Sequence, residues 1–127
     1  MRLLFDTHLV LWALEGSRRL PPGARALLED ESHDHWVSAA SLWEIAIKTS
    51  LGKLALSRPV GELEAAIKKA GFRELSITMA HAAQVSHDDG GLRDPFDRLL
   101  LAQCEVDSFR LVSADQALAD RPGVLPV

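Results

Sequence analysis

The chain has 127 residues, the size of one domain, and 47% apolar with 25% charged residues is the balance of a globular core. A net charge of −4 excludes a polybasic coat that holds nucleic acid by charge alone, and leaves a local basic patch or bound cations for that task. The single cysteine, Cys104, excludes an intramolecular disulfide and a cysteine-rich zinc site.

The opening MRLLFDTHLVLWALEG has the length of a leader, but Asp6 and His8 interrupt its apolar run and no small-residue cleavage site follows. No apolar run reaches the roughly eighteen residues that a membrane span needs, so a cytoplasmic protein is expected. Leu3, Leu4 and Phe5 form a short apolar run ending at Asp6, the pattern of a buried parallel strand. Residues 7–15 read as a helix stopped by Gly16, and Pro21-Pro22 opens a second helix to about Glu29. Trp36-Val37 is a second strand. Leu42, Ile45, Ala46 and Thr49 recur at helical spacing ahead of Gly52, so 41–51 reads as a helix. Leu63, Ala66, Ile67 and Ala70 repeat that spacing before Gly71. A third strand over Glu74–Ile77, a short helix over 79–86, a strongly apolar helix over Pro95–Glu105, a strand over Phe109–Ser113 and a final strand at Val124-Leu125 complete the series. His87–Arg93, polar with a glycine pair, reads as a surface loop. Alternating strands and helices imply a mostly parallel sheet covered on both faces, a three-layer α/β/α sandwich, as one domain over 1–127.

Ligands of such folds bind beyond the carboxyl ends of the strands. Asp6 ends the first strand, Glu44 lies in the first turn of the helix after the second, Asp97 lies in the first turn of the helix before the fourth, and Asp115 follows the end of that strand. Each helix-start acid also has a structural reading. Ser41-Leu42-Trp43-Glu44 matches a capping box; Asp94-Pro95-Phe96-Asp97 reads as a cap, a first-turn proline and a dipole-stabilised acid; Asp115 can cap the turn 115–119. Asp6 has the least structural reason to stand where it does. Clustered carboxylates raise one another's pKa values, and a hard cation, Mg²⁺ or Mn²⁺, relieves that cost. Such sites perform phosphoryl-transfer chemistry.

The stretches LLFDTHLVLWAL (3–14), VSAASLWEIAIKTSLGKL (37–54), RDPFDRLLLAQ (93–103) and LVSADQAL (111–118) resemble PIN-domain ribonucleases, and within them the toxins of VapBC-type toxin–antitoxin pairs. The resemblance runs in order over nearly the whole chain. It implies an α/β/α sandwich, Mg²⁺ or Mn²⁺ dependence, endonucleolytic cleavage of RNA, a small antitoxin partner and a homodimer. It carries the acidic set onto Asp6, Glu44, Asp97 and Asp115 as metal-binding catalytic residues. The implied mechanism is in-line attack of a metal-activated water on an RNA phosphodiester, with no covalent nucleophile. One departure is Leu92, where relatives carry histidine, in a loop with Gly90 and Gly91.

Other residues offer chemistry as well. Lys48, Lys53, Arg93 and Arg98 flank the acids and are candidate phosphate contacts; Ser113 is a candidate substrate or water contact. His8, two residues past Asp6, is a candidate substrate contact, whereas His33 and His35 lack a zinc-ligand set around them. Cys104 reads as core. Helices 7–15 and 41–51 are apolar on more than one stripe, with Trp12 and Trp43 among them, which suits a surface covered by another chain, such as an antitoxin helix. No nucleotide-binding glycine motif is present. Two other classes compete: a phosphotransfer or phosphatase domain using Asp6 as acceptor, against which the chain has no second acid beside Asp6, and an inactive partner-binding domain, against which all four acids are present.

Overall fold

The computed structural model describes residues 1–87 and 91–127. Within that range the order is β1 (Arg2–Phe5), α1 (Thr7–Glu15), α2 (Pro22–Glu29), β2 (Asp34–Ser38), α3 (Ala39–Ser50), α4 (Leu63–Lys69), β3 (Arg73–Leu75), α5 (Met79–Gln84), α6 (Pro95–Asp107), β4 (Arg110–Ser113) and β5 (Val124–Pro126). Short 3₁₀ turns precede α4 and follow β4. The loop expected over His87–Arg93 has Asp88, Asp89 and Gly90 outside the described residues.

All described strand pairings are parallel, in the order β3-β2-β1-β4-β5. The chain steps outward from β1 in one direction to β2 and β3, and in the other to β4 and β5. β1 and β4 therefore flank the point where the order reverses, the place where open parallel sheets bind ligands. The register sets Phe5 beside Val112, so Asp6 and Ser113 emerge together at the carboxyl edge.

The strands are apolar on both faces because both faces are covered. Leu3, Phe5, Val37 and Val112 point to one side, into a core with Leu9 and Val10 of α1, Ala24 of α2, and Leu63 and Ile67 of α4. Leu4, Leu111 and Val124 point to the other, where Leu100 and Cys104 of α6 cover them together with Phe109. Side chains such as Leu4 and Leu111, fully buried, each contribute at most about 1.5–3 kcal/mol from transfer out of water. This is the expected three-layer sandwich, with every expected element present. The boundaries shift by at most two residues, most consequentially at α3. It begins at Ala39, with Ser38 as its cap accepting from Ala40 N, two residues before the expected start. Gly16 closes α1 in the left-handed region that the sharp exit requires, at φ 62°.

Candidate active site

Asp6 is the first residue beyond β1 and caps α1. Its Oδ1 accepts from Thr7 N at 2.7 Å and its Oδ2 accepts from the Ser113 hydroxyl at 2.7 Å. Burial pushes the carboxyl above its ordinary range, while the bonds from Ser113 and Thr7 pull the other way. The same Ser113 Oγ accepts from Asp115 N at 3.0 Å, so the ends of β1 and β4 are tied through one hydroxyl. Asp115 is exposed and caps the 3₁₀ turn after β4, accepting from Ala117 N at 2.9 Å.

Thr7 makes the next link. Its hydroxyl donates to Glu44 Oε1 at 2.7 Å and lies 2.9 Å from Ser41 Oγ. Glu44 is only 6% exposed, and its second oxygen, Oε2, accepts from Lys48 Nζ at 2.5 Å, one helical turn on. Asp97 stands in the first turn of α6 behind the Asp94-Pro95 cap, with its N–H on Asp94 Oδ1 at 3.1 Å. Its carboxyl is pushed up to about 7, first by burial and then by the negative charges of Asp6, Asp94, Asp115 and Glu44.

The edge thus brings all four sequence-derived acids into one electrostatic neighbourhood, but not as equals. Ser41-to-Glu44 is not a capping box: Ser38 caps α3, Ser41 lies buried within the helix against Thr7, and Glu44 sits in its second turn rather than its first. A helix that starts two residues earlier turns Ser41 and Glu44 inward together. Asp94, Asp97 and Asp115 fill the capping positions expected of them and face the rim as well. A hard cation suits this set by charge and by donor chemistry, because Asp97 carries a strained negative potential and all the donors are carboxylate oxygens. The acids are not pre-set as a cage: among the described residues no three His, Cys, Asp or Glu side chains converge in coordination geometry.

Two clefts adjoin the rim and share His8. One of about 330 Å³ is lined by Asp6, His8, Trp12, Arg19, Ala114 and Asp115. The other, of about 270 Å³, is lined by Thr7, His8, Glu44, Lys48 and Lys53 with apolar neighbours. His8 is exposed and its ring packs on Trp12 with centroids 5.8 Å apart, while Lys53 lies exposed at the rim of its cleft. Arg93 is exposed, and Arg98 donates to the Val85 carbonyl at 2.6 Å.

Cys104 is core, with burial pushing its thiol up to about 12. His33 and His35 serve separate local contacts, with Asp30 and with the Leu27 carbonyl. Trp12 is half-buried, whereas Trp43 is 55% exposed and meets Phe96 edge-on at 5.5 Å. Leu92 is half-buried against the core beneath α6. Sequence reasoning missed the supporting network. Ser38, besides capping α3, donates to Gln103 Oε1 at 2.6 Å, and Gln103 Nε2 reaches the Ser76 carbonyl at 3.3 Å. Fully buried Gln103 of α6 thereby ties the start of the Glu44 helix to the Asp97 helix. A polar residue in the middle of the apolar run LLLAQC was the signal available for it.

The sequence profile of the PIN domain family matches residues 3–124. Comparison with curated protein sequences returns no significant relative. Similar solved structures include a toxin–antitoxin complex from Klebsiella pneumoniae, 19% identical with a TM-score of 0.65 over 97% of this chain and 95% of that one. Another is VapBC2 from Rickettsia felis bound to a DNA fragment from its promoter, 12% identical, TM-score 0.69, covering 100% of this chain and 98% of that one. A third is FitAB bound to an IR36 DNA fragment, 17% identical, TM-score 0.59, covering 91% and 86%. At these identities the structures establish the shared fold, and the profile match over nearly all of the chain establishes the family. With its parallel sheet and its acids gathered at the switch point, the chain belongs to the PIN domain family.

Proposed function

We propose that residues 1–127 act as a single metal-dependent endoribonuclease, the toxin of a type II toxin–antitoxin pair, with a cytoplasmic RNA as substrate. The observation that carries this reading is Asp97. It lies half-buried at the carboxyl edge of the sheet, within the field of Asp6, Asp94, Asp115 and Glu44, so the four acids share one neighbourhood there. Asp6, Glu44 and Asp97 would hold Mg²⁺ or Mn²⁺ directly or through water, and Asp115 would bind a second ion or orient the waters of the first. Such a cation, when bound, supplies an activated water and neutralises charge developing on the phosphate. The chain's own part is to hold the acids in place: Ser113 and Thr7 orient Asp6, the Asp94 cap orients Asp97, and the turn after β4 presents Asp115.

The partner reading rests on two supports. Similar structures include a toxin–antitoxin complex and VapBC2 on promoter DNA. A groove of about 270 Å³ between α3 and α4, lined by Leu42, Trp43, Ala46 and Ile67, leaves an apolar face open to an antitoxin helix. A homodimer belongs to the same proposal. Among the described residues no helix is long and apolar enough to cross a membrane.

Incubation of the purified protein with RNA and Mn²⁺, followed by mapping of the new ends, tests the activity. Cleavage lost on chelation and absent in Asp6→Asn is the expected result. Metal-independent cleavage, or cleavage retained in Asp6→Asn, overturns the assignment.

A further inference from the structure

Beside the acids, the rim opens into an aromatic and basic cleft that cation chemistry leaves unused. α1 starts at the Asp6 cap, so His8 stands two residues past that acid and Trp12 one turn further on the same helix face. The two rings meet with centroids 5.8 Å apart. Trp12 is half-buried and packs on the core, whereas His8 is exposed, so the imidazole has a rigid backing and stands open to solvent. After Gly16 the chain turns back. Ser17 N donates to the Trp12 carbonyl at 2.9 Å and Arg19 N donates to Ser17 Oγ at 3.1 Å, which keeps Arg19 beside these rings. Asp6, His8, Trp12, Arg19, Ala114 and Asp115 line this one cleft of about 330 Å³. Among the described residues Arg19 makes no ion pair, although two carboxylates line the cleft with it. An exposed guanidinium that its acidic neighbours leave unpaired is available to an incoming anion.

We propose that this cleft is a nucleotide subsite: one base of the RNA strand stacks on the His8 ring, backed by Trp12, and the Arg19 guanidinium bonds the adjoining phosphate. Every base has a flat π-face, and an unpaired base stacks on an aromatic side chain whatever its identity. The cleft opens on Asp6 and Asp115, so the stacked base belongs to a nucleotide beside the phosphate that meets the rim. A base held in this way is outside any duplex, which makes the substrate single-stranded where it is cut. Arg19 also supplies positive charge where a polyanion must approach a cluster of acids. This inference rests on the ribonuclease reading and names the form of RNA that the site accepts.

Binding separates the stacked base from the phosphate contact. Dissociation constants are measured in Ca²⁺, with the strands checked for integrity by gel, for a short single-stranded RNA and for a strand of the same backbone that lacks its bases. The wild type is expected to bind the base-bearing strand roughly tenfold more tightly. His8→Ala is expected to lose most of that preference without a change in melting temperature, because the ring is exposed, and His8→Phe is expected to keep it. Arg19→Ala is expected to weaken both strands alike and to lower the slope of log Kd against log salt concentration by about 0.7. No binding of either strand, equal affinity for the two in the wild type, or a preference retained in His8→Ala overturns the stacking subsite and returns His8 and Trp12 to a surface for a protein partner. An unchanged salt slope in Arg19→Ala overturns the phosphate contact. Strand preference as expected, with no new RNA ends produced in Mn²⁺, overturns the ribonuclease reading and not the subsite, which is a separate result.

Discussion

Asp97→Asn is expected to stabilise the metal-free protein, and only above the acidic range. The carboxyl titrates near 3.8 when unfolded and near 7 when folded. Between those values the folded state binds more protons than the unfolded state, so stability falls as pH rises. The contribution of the protonated carboxyl is fully present below the unfolded value and is lost as pH passes through the folded one. The rise from 3.8 to about 7 corresponds to roughly 4 kcal/mol at full weight. Asp97 is only half-buried, and solvent screening reduces this to about 1–2 kcal/mol. Asparagine keeps the shape and never ionises. In EDTA its melting temperature should exceed that of the wild type by about 4–8 °C near pH 8. The two proteins should converge only below about pH 4, where Asp97 is protonated in the folded and the unfolded state alike. Thermal melts by circular dichroism across that range make the measurement. A stability difference of equal size at both ends, or a variant less stable near pH 8, would refute the argument that burial and the neighbouring acids raise the Asp97 carboxyl.

Three further outcomes follow from the same structure. Mn²⁺ should stabilise the wild type, by about 2.7 kcal/mol at a hundredfold excess over Kd, and raise its melting temperature more near pH 8 than near pH 5 because protons compete for the carboxylates; equal shifts at both pH values, measured by scanning fluorimetry, would count against carboxylate ligands. Ser38→Ala removes the α3 cap and the hydroxyl bonded to buried Gln103, and should cost about 2–3 kcal/mol in denaturant melts, whereas Ser38→Thr should recover most of it. Ser108 closes α6 in the left-handed region at φ 59°, so Ser108→Gly should stabilise by about 0.5–1 kcal/mol in the same assay.

The layer architecture was legible in the sequence because it depends on local signals: short apolar runs covered on both faces, helical spacing at Leu42 and Leu63, and stops at Gly16, Gly52 and Gly71. The acids were legible for a related reason. In a parallel α/β chain, a residue just past a strand or in the first turn before one must lie at the carboxyl edge, so Asp6, Asp97 and Asp115 are placed by connectivity alone. The tertiary structure decided how these acids differ. A two-residue change in where α3 begins, set by Ser38 rather than Ser41, turns Glu44 inward onto Thr7 and Lys48. Capping preference alone could not choose between the two serines, because both are followed by residues compatible with a helix. Ser38 wins through its bond to Gln103, which is 65 positions away in sequence. The raised pKa of Asp97 has the same origin, since it reflects burial and charges from β1, α3 and the turn after β4 that only the packed sheet brings together. Position along the chain determined which acids reach the rim; long-range hydrogen bonds and desolvation determined which of them are left unneutralised there.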